Sequence, residues 1–181
     1  MDSTLITLSD ARELEEQLKT VQSHLIPVSP NPVDLAWGSD RPQRSHDALF
    51  IHTIKYAGEA YQDKLNKVHK YLFEKKYFGV IVSALDEIAW LFNLRGSDVD
   101  CSPVFYAYAL ITQTEATLYV QQEKLTEAVH QHLQGVQLKP YDAIFDELKT
   151  VQLTDGQKIC IDENTSMAIA LAIGLVNIKK K

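Results

Sequence analysis

Four carboxylates, Asp86, Glu87, Asp98 and Asp100, fall in one stretch of the chain. Gathered on a layered α/β sheet, such acids could chelate magnesium and serve phosphoryl hydrolysis. The local context argues for a plainer role. Asp86 and Glu87 sit in the first turn of an expected helix, where the dipole favours negative charge. Asp98 and Asp100 sit in a polar loop. The formal net charge is −6 and the pI is near 5.5, so no basic surface draws in a nucleic acid. The acids are read as structural.

The other reactive side chains are scattered. His130 and His132 lie two apart in an expected helix and point to different sides, so they cannot share a metal ion. His24, His46, His52 and His69 have no Cys, Asp or Glu at the spacing of a compact metal motif. Cys101 follows the acidic Asp98 and Asp100, which disfavour a thiolate, so it is read as an inert thiol. The seven glycines form no phosphate-cradling loop. Arg95 is the one cation singled out: its planar guanidinium is expected to pair with Asp98 and fix the loop, or to reach a carboxylate in an adjacent domain. Arg95 and Asp98 are therefore the binding candidates, and no catalytic or metal position is assigned.

Size and composition bound the rest. A chain of 181 residues fits one domain, or one domain with part of a neighbour. Its 45% apolar and 23% charged residues are those of a soluble globular protein. No apolar run is long enough to cross a bilayer, and the N-terminal MDSTLITLSDARELEEQ lacks the basic and apolar blocks of a signal peptide. Cys101 and Cys160 are expected to be reduced thiols in a cytoplasmic protein.

Residues 1–28 are expected to form strand (5–8), helix and strand (25–28), the last piece of a preceding domain or a unit packed on the following one. Ser9 is the expected helix cap. Residues 29–53, with Pro30, Pro32 and Pro42, are expected to be a linker in which Leu35 and Trp37 anchor to a neighbouring surface.

Residues 54–181 alternate, and form the main domain. Helices are expected at 59–76, 85–93, 122–134, 141–151 and 164–176, and strands at 78–83, 104–112, 116–120, 136–139 and 158–161. Ser83 and Asp86 suggest a cap for the second helix, and Gly96 a left-handed stop after it. VFYAYALIT at 104–112 is apolar on both alternating faces, so it belongs in the middle of a sheet. QTEA joins it to the next strand as an antiparallel hairpin. The order of elements predicts an α/β fold: a mixed sheet flanked by helices.

Four stretches then point to a family: VDLAWGSDRP at 33–42, IKYAGEAYQDKL at 54–65, ALDEIAWLFNLRGSDVD at 84–100 and PVFYAYALIT at 103–112, with a weaker echo in KPYDAIFDELK at 139–149. Together they resemble the middle domain of the cytosolic, three-domain type of Xaa-Pro aminopeptidase. The resemblance implies a creatinase/prolidase N-terminal fold with ribonuclease H-like layers. It also implies a parent enzyme that releases the residue preceding proline, using two manganese ions held by Asp, His and Glu of a separate pita-bread catalytic domain. The motifs that hold those ions have no counterpart here, so the resemblance transfers no metal or catalytic residue, and no cofactor is assigned to this chain.

Three functions are weighed. The first is a non-catalytic middle domain of the peptidase, partnered by its other domains or by a full-length subunit. The second is a stand-alone regulatory or protein-binding module derived from it, with self-association as one outcome. A carboxylate-metal nuclease is third, disfavoured by charge. Nucleic-acid and membrane partners are not expected. Whether the chain is a fragment or a whole gene product stays open.

Overall fold

The computed structural model describes residues 1–154 and 156–180, without the Lys180 side chain. Its elements in chain order are α1 (Leu8–Lys19), α2 (Pro32–Trp37), β1 (Phe50–Ile51), α3 (Ile54–Ala57), α4 (Tyr61–Lys75), β2 (Gly79–Val82), α5 (Leu85–Leu91), β3 (Leu94–Arg95), β4 (Ala107–Thr112), β5 (Ala116–Val120), α6 (Glu127–His132), β6 (Gln137–Lys139), α7 (Ala143–Thr150), β7 (Ile159–Ile161), α8 (Met167–Ile173) and β8 (Ile178–Lys180).

Six strands form one mixed sheet in the order β6-β5-β4-β2-β7-β8. β4 pairs antiparallel with both β2 and β5, while β6, β7 and β8 join parallel to their neighbours. The doubly apolar run at 104–112 predicts a central strand, and β4 is one. Alternation along each strand then builds two cores. Ala107, Ala109, Ile111, Ala116, Leu118 and Val120 face one side, under α4, α5 and α6. Ile81, Leu110, Tyr119, Ile159 and Ile161 face the other, under α1, α7 and α8. The α/β architecture with a mixed, helix-flanked sheet is as the sequence predicts.

The local departures have identifiable causes. LITL at 5–8 is not a strand: only Thr7 makes a bridge, to Ser166, and Thr7 rather than Ser9 caps α1 by accepting the Asp10 N–H at 3.0 Å. Leu8 is drawn into the second core, and its N–H donates to the Thr165 carbonyl at 2.9 Å. LIPV at 25–28 forms no strand. The Pro-rich stretch 29–53 holds α2, a 3-10 turn at Gly38–Asp40 and β1. Asn31 caps α2 by accepting the Val33 N–H, and Pro32 fits the first helical position. Leu35 and Trp37, expected as anchors, stay 67% and 49% exposed.

Ser83 does not cap α5: its hydroxyl bonds Thr165 at 3.0 Å instead. Gly96 is not the left-handed stop either. Asn93 takes that conformation, with φ of 52°. The expected helix at 122–134 divides into a 3-10 turn (Gln122–Lys124) and α6, because Leu125 is extended and Thr126 starts a new helix with its own side-chain cap. The helix expected at 164–176 ends at Gly174 (φ 85°), and the chain goes on into β8, which no alternation signalled.

Candidate functional site

The loop between α5 and β4 gathers most of the buried polar side chains, and its geometry begins at Asn93. A non-glycine residue in the left-handed region is uncommon, and Asn tolerates it better than most. Its side chain then becomes a hub: Nδ2 donates to the Glu59 carbonyl at 2.8 Å, and Oδ1 accepts from Lys64 Nζ at 2.6 Å. Lys64, on α4, also donates to the Trp90 carbonyl at 2.7 Å and stands 4.3 Å from the centre of the Trp90 ring. Burial pushes the Lys64 ammonium below the usual lysine range, against the pull of Glu59.

Beyond Asn93 the chain pairs as β3 with β1 in antiparallel register, Phe50 opposite Arg95. Gly96 follows, packed so closely that an added Cβ would lie 2.7 Å from Phe105 Cβ. Asp98 then turns inward. Its Oδ2 accepts the Tyr106 N–H at 2.8 Å, and its Oδ1 binds Lys124 Nζ in an ion pair whose side chains are 1% and 0% exposed. The Leu49 N–H donates to the Lys124 carbonyl at 2.9 Å, so the β1 segment fastens both sides of the loop. A buried pair of this kind tolerates its desolvation only because both charges are compensated.

Arg95 and Asp98 do not pair. The Arg95 guanidinium donates to the Ala89 and Leu94 carbonyls at 2.9 and 2.8 Å, tying β3 to the preceding helix. The expected loop-fixing pair is replaced by Asp98 with Lys124, a residue distant in sequence that no motif marked. Lys64, Asn93 and Tyr106 were missed for the same reason, since each acts through tertiary contacts. Asp86 and Asp100 are exposed, and Glu87 is half-buried at the start of α5. His132 Nε2 bonds the Phe92 carbonyl at 3.0 Å, and its ring lies 4.8 Å from that of Tyr61, while His130 points to solvent. Cys101 is exposed and Cys160 buried, and both thiols are free.

A second polar region borders this loop, a cleft of about 390 Å³ lined by Arg41, Arg44, His46, Gln121 and Asp142. Arg44 lies over the Tyr141 ring at 4.8 Å and so ties the connecting segment to the main domain, while Arg41 binds Asp34 at 2.8 Å within the segment.

This arrangement of strands and loop matches a known domain: the sequence pattern of the Creatinase/Prolidase N-terminal domain covers residues 40–181. The chain belongs to that family. It is 41% identical over 182 aligned positions to a probable Xaa-Pro aminopeptidase P of Coccidioides posadasii, covering 96% of this chain and 28% of the relative. A probable Xaa-Pro aminopeptidase P of Aspergillus niger is 44% identical, with 96% of this chain and 30% of the relative covered. The chain thus spans under a third of the length of these curated relatives. The crystal structure of an X-prolyl aminopeptidase from Caenorhabditis elegans, described as a cytosolic enzyme with a di-nuclear active site, superposes with a TM-score of 0.91 at 24% identity. That match covers 99% of this chain and 30% of the other, and it establishes the same fold.

Among the described residues no site fits a pair of metal ions. Asp98 has both oxygens engaged by Lys124 and the Tyr106 N–H, and the other described acids do not converge on it. Among the described residues no group of three or more His, Cys, Asp or Glu side chains could hold a metal ion. No helix among them is long and apolar enough to cross a membrane.

Proposed function

We propose that this chain serves as a non-catalytic structural domain of a cytoplasmic, manganese-dependent Xaa-Pro aminopeptidase. The reading rests on one observation: the best-placed acid, Asp98, is committed on both oxygens to holding the 93–106 loop. The similarity to aminopeptidases P along 96% of the chain supplies the enzymatic context. In this reading release of the residue before proline belongs to groups outside the chain, and residues 54–181 form the middle domain. Residues 1–28 are the end of the preceding domain, docked through Leu8, and residues 29–53 connect the two.

The partners in this reading are the peptidase's other domains or a full-length subunit. Val33, Leu35 and Trp37 of α2, all well exposed, offer them an apolar contact. The test is direct. Purified protein is incubated with manganese and an Xaa-Pro-Pro peptide, and freed amino acid is measured. None is expected; robust turnover with stoichiometric bound metal would overturn the assignment.

The same exposed α2 residues support a second reading, a stand-alone regulatory or protein-binding module. Light scattering separates the two. Self-association, or affinity for a full-length peptidase that α2 substitutions abolish without changing that peptidase's turnover, would favour the module.

A further inference from the structure

β7 is flanked differently on its two faces. Ile159 and Ile161 lie under α7 and α8, whereas Cys160 and its register neighbour Lys179 on β8 point to the opposite side, into a cleft beside α4 and α5. That cleft has a volume of about 450 Å³, floored by Val80, Val82 and Cys160 and walled by Val68, Tyr71 and Leu72 of α4 and Trp90 and Leu91 of α5. That volume lies within the range of small-molecule sites, roughly 300–1,000 Å³, and the lining is mostly apolar and aromatic as such sites are.

Charge around the mouth selects the ligand. Lys179 lines the cleft and has no ion-pair partner among the described residues. It stands in register with Cys160, whose thiol lines the floor. Lys67 also lines the mouth, shared with Glu59 at 2.6 Å, and Lys75 stands 5.9 Å from the Tyr71 ring. Glu87 is the one carboxylate among the lining residues.

We infer that this cleft binds small amphipathic organic anions, with an aromatic or short aliphatic body against Val80, Val82 and Leu72 and a carboxylate at Lys179. The site is separate from the Asn93–Tyr106 loop and does not depend on the proposed peptidase role.

Three probes that share one body and differ in charge test it: 4-phenylbutyrate, 4-phenylbutan-1-ol and 4-phenylbutylamine. In a Trp37→Phe background Trp90 is the sole tryptophan and reports occupancy through its emission. The acid is expected to bind about tenfold tighter than the alcohol, the worth of one charge-assisted contact, and tighter still than the amine. Lys179→Gln should abolish the preference for acid over alcohol while leaving the alcohol's affinity unchanged. Tyr71→Ala, a change at a half-exposed rim residue, should weaken all three.

Equal binding of acid and alcohol, preference for the amine, or an acid preference that survives Lys179→Gln would each overturn the proposal. So would the absence of a saturable response. Trp90 emission that shifts with protein concentration alone would mean that a second copy fills the cleft, and would overturn it too.

Discussion

Lys124 and Asp98 form a closed ion pair beneath the α5–β4 loop, and the Tyr106 N–H completes the carboxylate's coordination. The pair joins the turn after β5 to the loop before β4, and so fixes the two ends of the sheet's central hairpin to one another.

Removing one member strands the other's charge in the interior. Lys124→Met should cost about 3–5 kcal/mol in equilibrium urea unfolding. The double variant Lys124→Met with Asp98→Leu should cost less than the sum of the two single changes, because no lone charge remains. It should not recover fully, since the Tyr106 N–H then lacks its acceptor, a loss of roughly 1–3 kcal/mol. Strict additivity in the double-mutant cycle would show that the two charges act independently.

Gly96 is required for space and not for its backbone angle. A Cβ there would meet Phe105 Cβ at 2.7 Å, Leu49 Cδ2 at 3.1 Å and the Val104 carbonyl at 3.2 Å. Gly96→Ala should therefore destabilise by about 1–3 kcal/mol, the range for overpacking. An unchanged midpoint for Gly96→Ala would show that the loop yields freely.

Leu8 measures how far the N-terminal segment belongs to the folded body. It is fully buried in the second core with Ile169 and Ile173. Leu8→Ala should lower stability by about 2–5 kcal/mol, and Thr7→Ala by about 1 kcal/mol through the lost cap. A truncation that removes α1 should expose the α8 surface to hydrogen exchange. If Leu8→Ala leaves the unfolding midpoint in place, α1 is only loosely attached.

Alkaline stability should follow buried tyrosines. Burial pushes the Tyr119 hydroxyl well above its usual range, and its bond to Glu147 Oε2 at 2.9 Å adds to the shift. Tyr141 is raised by burial and then by Tyr108. The folded protein keeps these protons after the unfolded chain has lost them, so their contribution is complete below pH about 10 and declines as pH rises beyond it. Lys64 acts in the opposite sense: its folded value is depressed, so rising pH relieves a penalty. Tyr119→Phe should flatten the decline in stability between pH about 9 and 11 relative to the parent protein. Parallel profiles for the two proteins would refute the assignment to Tyr119.

The fold was legible where burial imposes a period on the sequence. β4 has apolar residues on both faces because it lies between two cores, and that doubling is visible in the letters. The hairpin to β5 was legible from the short polar QTEA. What stayed hidden depends on contacts made across the chain. Residues 50–51 form β1 only because β3 lies beside them, and Thr7 and Leu8 are placed by Thr165 and Ser166. β8 has a lysine where an apolar residue would have marked a strand, since Lys179 faces the cleft beside α4 and α5. In the loop, Asp98 stood out as a polar residue, but its partner could not be found by spacing: Arg95 is near in sequence and Lys124 is near in space.

Both outer strands of the sheet end in lysine-bearing segments, Gln137–Lys139 on one side and Ile178–Lys180 on the other. An unpaired strand border is a template on which further chains can polymerise, and ammonium groups set along it repel such additions. Lys179, which obscured β8 in the sequence, is such a group at the edge of the described sheet.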